Sequence, residues 1–334
     1  MNRLTTVRYG KKTIPVIGEI TVRGRSYRLL KEIGWGDQQR FWVHDPRAGP
    51  RGDFRQILSL PRGKASQQHL AVLQRLSQGN PNLPTILDSA RQRDRVWLVT
   101  NWVRGPDLRS YLDDVRAGQR TWPSPLEVVK LYRGLAHGLS QMHRHRRIVH
   151  GDIKPGNLVL AREPNRLVMI DFGTAWMAER TVRRDPGDGT SRYYAAPELL
   201  RQNTSFVDGR ADQFSATIVA YEMLTGIRPY GEIGGEAGLD SNRSVYEPLY
   251  HPPSQRSPLR DKIPQRIWQL VDQVIARGLK LDANDRFPSR QPWLDALEDL
   301  QCEIRRKVQF TPIESTVLRL VKWVGNRVDG PREP

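Results

Sequence analysis

Four polar residues near the middle of the chain have types and spacing suited to moving a phosphoryl group. Asp152, Lys154 and Asn157 share the short segment His150-Gly151-Asp152-Ile153-Lys154-Pro155-Gly156-Asn157. Asp171 follows at the end of the apolar run Leu167-Val168-Met169-Ile170. Phosphoryl transfer to a hydroxyl needs a hard cation on the triphosphate. Mg²⁺ takes oxygen ligands, one or two from protein and the rest from phosphate and water. Asp171 and Asn157 can supply the protein share. A carboxylate must orient the attacking hydroxyl and take its proton, which suits Asp152. A cation must meet the charge on the transferring group, which suits Lys154. His150 reads as a residue packed beneath this loop.

These residues need a scaffold that brings Asp171 back to Asn157. Leu158-Val159-Leu160 and Leu167–Ile170 form a predicted hairpin through Glu163-Pro164-Asn165, with Asn157 and Asp171 facing one another at its open end. Upstream the pattern is strand-rich. Alternation over 13–17 and 19–22 predicts short strands, followed by strands at 27–33 and 40–43 around Gly34-Trp35-Gly36, then at 54–60 and 95–100. Leucines at 70, 73 and 76 predict a helix over 67–76, stopped by Asn80-Pro81-Asn82. After Gly105-Pro106 the helical period dominates, at 126–143, 212–224, 264–279 and 292–305. A β-rich part followed by a helix-rich part is an α+β pattern with two segregated lobes. The chain's 334 residues exceed what one core comfortably holds.

At this point the chain resembles the eukaryotic-type protein kinase family. Residues 150–157 look like its catalytic loop, with Gly151 in place of the usual arginine. Asp171-Phe172-Gly173 match its metal-binding triplet, and Ala196-Pro197-Glu198 the end of its activation segment. Asp212 opens a helix ending Tyr221-Glu222-Met223-Leu224-Thr225-Gly226. Arg286 matches the arginine that family members pair with the glutamate at Glu198. Glu198, Asp212 and Arg286 are read as scaffold, because a buried charge needs its partner. The resemblance spans roughly residues 25–300. It implies a bilobal fold: a β-rich small N-lobe (25–104), a helical C-lobe (105–302) and a nucleotide cleft between. An N-terminal extension (1–24) and a basic C-terminal tail (303–334) flank these lobes.

The resemblance also implies ATP and Mg²⁺ as cofactors and a protein substrate. Asp152 and Lys154 are then catalytic, and Asn157 and Asp171 are metal ligands. Cofactor contacts fall to Gly34, Gly36, Asn101, Val103, Asp107 and Val159, with Thr100 behind the adenine. Lysine two residues after the catalytic aspartate implies a Ser/Thr acceptor.

The nucleotide-binding part departs from the family pattern. Gln39 stands where a third glycine is usual, and Phe41 where a valine roofs the adenine. Leu58 falls at the position of the phosphate-holding lysine, and His69 at that of its glutamate partner. A leucine offers phosphate nothing. Lys31, Arg40, Arg55, Arg62 and Lys64 lie close by, and Lys64 is the leading substitute on sequence grounds. The alternative reading is a pseudokinase that senses nucleotide or acts as a scaffold.

Lys and Arg outnumber Asp and Glu by 53 to 36, giving a net charge of +17. That surface favours acidic partners and leaves nucleic acid open as a second alternative, although no Cys/His cluster or nucleic-acid motif supports it. Cys302 is the one cysteine, which excludes an internal disulfide and fits a reducing, cytoplasmic setting. No apolar run is long enough to span a membrane. Phosphorylation of an activation segment acts by pairing with the arginine before the catalytic aspartate. Gly151 removes that partner, so activity is expected not to depend on loop phosphorylation. The amphipathic basic stretch 317–324 is expected to cap the second lobe.

Overall fold

The structure, a computed structural model, describes residues 5–33, 39–61, 74, 76–144, 148–162, 165–171, 176–177, 191–201 and 207–309. Strands β1 (Thr6–Tyr9) and β2 (Lys12–Pro15) form a hairpin of their own. Six further strands build one antiparallel sheet: β3 (Gly18–Val22), β4 (Arg25–Glu32), β5 (Gln39–Asp45), β6 (Asp53–Pro61), β7 (Ile86–Gln92) and β8 (Arg95–Asn101). Their spatial order is β3-β4-β5-β6-β8-β7.

Strand alternation gives this sheet two different apolar faces. On one, Phe41, Val43, Ile57 and Val99 cluster with Val22 and Tyr27. On the other, Leu58, Leu60, Val96 and Leu98 join the large core of the helical part, with Leu108, Leu135 and Phe214. A third cluster joins the β1–β2 hairpin to the sheet, with Val7, Tyr9 and Ile14 against Leu30, Trp42, Phe54 and Trp102.

The helical part contains α1 (Leu108–Arg116), α2 (Pro125–Arg144), α3 (Pro197–Leu200), α4 (Arg210–Thr225), α5 (Arg243–Tyr246), α6 (Pro253–Arg256), α7 (Gln265–Gly278) and α8 (Arg290–Gln309). Their starts follow from local chemistry. Asp107 caps α1, its Oδ1 accepting from Ser110 N–H at 2.9 Å. Ser124 and Glu127 form a reciprocal capping box for α2: Ser124 N–H donates to Glu127 Oε2 at 2.8 Å, and Glu127 N–H to Ser124 Oγ at 3.3 Å. Helix α4 is buried on every side from Ala211 to Thr225, so it serves as the axis on which the other helices pack.

The hairpin predicted to return Asp171 to Asn157 is present. Strands β10 (Leu158–Arg162) and β11 (Asn165–Met169) pair antiparallel, with Leu158 opposite Met169. Short strands β9 (Ile148–Val149) and β12 (Trp176–Met177) also pair. Two expected limits shift. The one at 24/25 falls inside the β3–β4 hairpin, whose strands pair from Gly18–Leu29 to Val22–Arg25, so residues 18–22 belong to the sheet. The one at 302/303 falls inside α8, which continues to Gln309. Strand β7 was not anticipated. Most of the predicted 67–76 helix and the 317–324 stretch lie outside the described residues; residues 76–79 are helical.

Candidate active site

The loop after β9 is held from below by α4. Asp212, in the first turn of that helix, accepts from His150 N–H at 2.9 Å (Oδ2) and Gly151 N–H at 2.9 Å (Oδ1). His143, in the last turn of α2, places Nε2 2.8 Å from the same Oδ2. Burial works to raise the Asp212 carboxyl. The His143 hydrogen bond, the two nearby imidazoles and the Gly151 N–H outweigh it and hold the group below its ordinary 3.8. Burial pushes the His150 imidazole down against the pull of Asp212, Asp152 and Asp171, so this ring is neutral at pH 7. His150 thus packs beneath the loop, its Nδ1 accepting from Asp152 N–H at 3.4 Å.

Gly151 has φ of +73°, in the left-handed region that side-chain-bearing residues avoid. The residue replacing the family's arginine is therefore the one type that adopts this backbone without strain.

Above this base the polar residues converge. Lys154 Nζ donates to Asp152 Oδ2 at 2.7 Å. Asn157 Nδ2 donates to the same oxygen at 2.8 Å and to the Asp152 carbonyl at 2.9 Å. Ser191 N–H reaches Asp152 Oδ1 at 3.3 Å. The Asp152 carboxylate is thereby fixed by donors from both sides of the loop. Asn157 spends its amide N–H groups on Asp152 and keeps Oδ1 as an acceptor. Ile170 N–H donates to the Asn157 carbonyl at 3.0 Å, which ties Asp171 beside Asn157 at the hairpin mouth.

One carboxylate and one amide oxygen cannot saturate Mg²⁺, which takes six ligands. Among the described residues no group of three His, Cys, Asp or Glu could hold a metal alone. The donor set fits a hard cation that arrives with phosphate oxygens.

On the opposite wall the register corrects the sequence reading. Phe41 lies opposite Ile57, and both point to the face away from the helical part. Phe41 stacks on Trp97 there, with ring centroids 6.1 Å apart, so it does not roof an adenine. Arg40 lies opposite Leu58, and Trp42 opposite Gln56. Leu58 itself is 4% exposed and built into the core. Arg40 reaches across to Asp171, Nη2 to Oδ2 at 3.0 Å.

The strand β8 leads into the segment expected to meet the adenine. Thr100 is buried, and its Oγ1 lacks a hydrogen-bond partner among the described residues. Asn101 is locked to Thr85 by two bonds: Thr85 N–H to Asn101 Oδ1 at 2.6 Å, and Asn101 N–H to the Thr85 carbonyl at 3.1 Å. Val103 follows, half-buried. Asp107 spends both carboxylate oxygens on Ser110, which leaves neither unengaged in this structure. Val159 is buried and bridges Asp107. A Cβ on Gly105 would lie 2.1 Å from the Leu160 carbonyl, so only glycine permits the chain to pass this close to β10. Gly34, Gly36, Lys64 and His69 lie outside the described residues.

The three scaffold residues behave as expected. Arg286, 1% exposed, forks onto Glu198 at 2.6 and 2.9 Å and also donates to the Lys280, Leu281 and Arg210 carbonyls. Sequence reasoning missed the contacts of His143 with Asp212 and of Ser191 with Asp152. The position of His143, one helix end before the loop, was the only available signal for the first.

A family model described as the protein kinase domain matches residues 58–293, more than half of the chain. The chain belongs to the protein kinase family. It is similar to the serine/threonine-protein kinase PknF of Mycobacterium tuberculosis, 26% identical over 276 residues, covering 78% of this chain and 53% of PknF. It is also similar to Pkn1 of Myxococcus xanthus, 26% identical over 302 residues, covering 85% of this chain and 39% of Pkn1. The chain thus spans about half or less of these relatives' length. Among solved structures, the Mycobacterium tuberculosis PknI kinase domain superposes with a TM-score of 0.54 at 22% identity, covering 84% of this chain and 97% of that one. The Cydia pomonella granulovirus kinase PK-1 gives 0.62 at 19%, covering 81% and 93%. At such identities these two likenesses speak to the fold: a β-sheet N-lobe and a helical C-lobe.

Proposed function

We propose that this chain is an ATP- and Mg²⁺-dependent protein kinase that phosphorylates serine or threonine hydroxyls. The observation that carries the reading is the Asp152 carboxylate, held by Lys154 and Asn157 beside the Asp171 carboxylate. Asp152 orients the acceptor hydroxyl and takes its proton. Lys154, already on Asp152, neutralises charge on the transferring group. Asn157 and Asp171 hold the Mg²⁺ that comes with ATP, which supplies charge neutralisation on the phosphates. Asn101, Val103 and Val159 frame the adenine, with Asp107 near the ribose. The relatives' names and Lys154 two residues after Asp152 support a Ser/Thr acceptor.

A cytoplasmic setting is supported by the lone Cys302; among the described residues, no helix is long and apolar enough to cross a membrane. The test is phosphate transfer from Mg-ATP to a generic protein substrate, with phosphoamino-acid identification of the product. Wild type is expected to label serine or threonine, and Asp152→Ala to lose the signal. Equal transfer by both proteins sinks the enzyme reading.

A further inference from the structure

We propose that Arg40, on β5, is the cation that holds the ATP phosphates in place of the absent lysine at Leu58. This rests on the kinase reading above and deepens it.

Three observations on this chain converge. First, Arg40 is the cross-strand partner of Leu58 on the adjacent strand. Directly opposed residues of an antiparallel pair carry their side chains on the same face, about 5 Å apart. A guanidinium stem is long enough to bring its charge from there to the space a lysine at position 58 would use. Second, Arg40 already points into the cleft, with Nη2 3.0 Å from Asp171 Oδ2. The acid it touches is the proposed metal ligand, so the cation stands where phosphate and metal must meet. Third, Arg40 Nε is buried and lacks a hydrogen-bond partner among the described residues. A buried charged donor left unmatched is costly. A phosphate oxygen would satisfy it, and the planar fork of arginine suits phosphate.

The other described candidates do not meet these conditions. Arg55 shares the outward face with Val43, its cross-strand partner, and is bound to Asp53 and to the Phe54 carbonyl. Lys31 is exposed on β4, opposite Trp42.

Arg40 and Asp171 form an ion pair across the cleft. With Mg-nucleotide bound, Asp171 would hold the metal and the Arg40 fork would hold the phosphates. The loss of the β6 lysine is thereby compensated within the same sheet, one strand over.

The test is equilibrium binding of Mg-ATP, Mg-ADP and adenosine to the full chain by calorimetry. Wild type is compared with Arg40→Gln, Arg40→Lys and the double variant Arg40→Gln/Leu58→Lys. Arg40→Gln is expected to weaken Mg-ATP and Mg-ADP by about 10- to 100-fold while leaving adenosine within about twofold. Arg40→Lys is expected to fall between, and Leu58→Lys to restore part of the loss. Equal weakening of all three ligands would mean that Arg40 only supports the sheet, and would overturn the proposal. So would unchanged Mg-ATP affinity in Arg40→Gln alongside a large loss in Lys64→Ala. A folded wild type that bound adenosine and Mg-ATP equally weakly would instead remove the kinase reading itself, because no phosphate site would exist.

Discussion

The two walls of the cleft hold their charges in different ways. On the helical wall, Asp152 is fixed by Lys154, Asn157 and Ser191, and the loop beneath it by Asp212. Asp152 and Asp212 there each accept from several donors. On the sheet wall, among the described residues, Arg40 reaches the cleft from a strand whose neighbour carries a leucine. The first arrangement is a network that tolerates little change, because removing one member leaves another buried and unpaired. The second, among the described residues, is one long side chain that crosses the cleft from strand β5. Chemistry that must be placed to within fractions of an ångström sits on the first wall. Charge that needs only to reach phosphate sits on the second.

This contrast can be broken by asking which measured quantity each wall controls. Asp152→Asn is expected to lower kcat by about 10²- to 10⁴-fold, the usual contribution of a positioned base, with Mg-ATP affinity kept within a few fold. A loss of affinity as large as that of Arg40→Gln would erase the division between the walls.

The helical wall's rigidity has a structural source that can be removed separately. Arg286→Leu strands the Glu198 carboxylate and is expected to cost about 3–5 kcal/mol in urea unfolding. A change under about 1 kcal/mol would show that the fork onto Glu198 is not a buried anchor.

Gly151 tests a smaller element of the same wall. Gly151→Ala forces a side chain into a left-handed backbone and is expected to cost about 1–2 kcal/mol. Phosphatase treatment of the wild type is expected to leave activity intact, because no arginine precedes Asp152. Complete loss after treatment would show that some other residue receives a loop phosphate.

The smallest effect concerns pH. His150 titrates below its ordinary 6.5 in the folded chain. The unfolded chain therefore takes up a proton first as pH falls, and stability declines below about 6.5 until the depressed folded value is passed. Asp212 adds a later loss of the same sign: its stabilisation is complete above 3.8 and disappears as pH falls through its lowered folded value. Unfolding free energies between pH 7 and 5 are expected to slope less in His150→Gln. Identical slopes would remove His150 as the source.

The cluster of Asp152, Lys154 and Asn157 was legible in the sequence because it is local. Asp152, Lys154 and Asn157 lie within six residues, and the hairpin that returns Asp171 is short. The sheet wall was not, because facing depends on register between strands distant in sequence. Spacing from Gly34 and Gly36 placed Gln39 and Phe41 toward the nucleotide. The actual pairing puts Arg40 and Trp42 on the face shared with Leu58 and Gln56, and a shift of one residue exchanges the two faces of a strand. Strand β7 was missed for another reason. Its sequence, Ile86-Leu87-Asp88-Ser89-Ala90-Arg91-Gln92, is mostly polar, and its place at the sheet edge is set by pairing with β8 rather than by its own pattern.

The N-terminal hairpin has a practical consequence for anyone cutting this chain. Tyr9 lies edge-on to Trp42 and Phe54 at 5.2 and 4.8 Å, and its hydroxyl accepts from Trp102 Nε1 at 3.1 Å. A fragment starting at residue 25, where motif matching alone would place the domain's beginning, loses this cover and strand β3 together. It would present two tryptophans and a phenylalanine to water beside the bare hydrogen-bonding edge of β4. Such a surface recruits other chains, so the shortened protein is expected to precipitate or self-associate even with its catalytic residues intact.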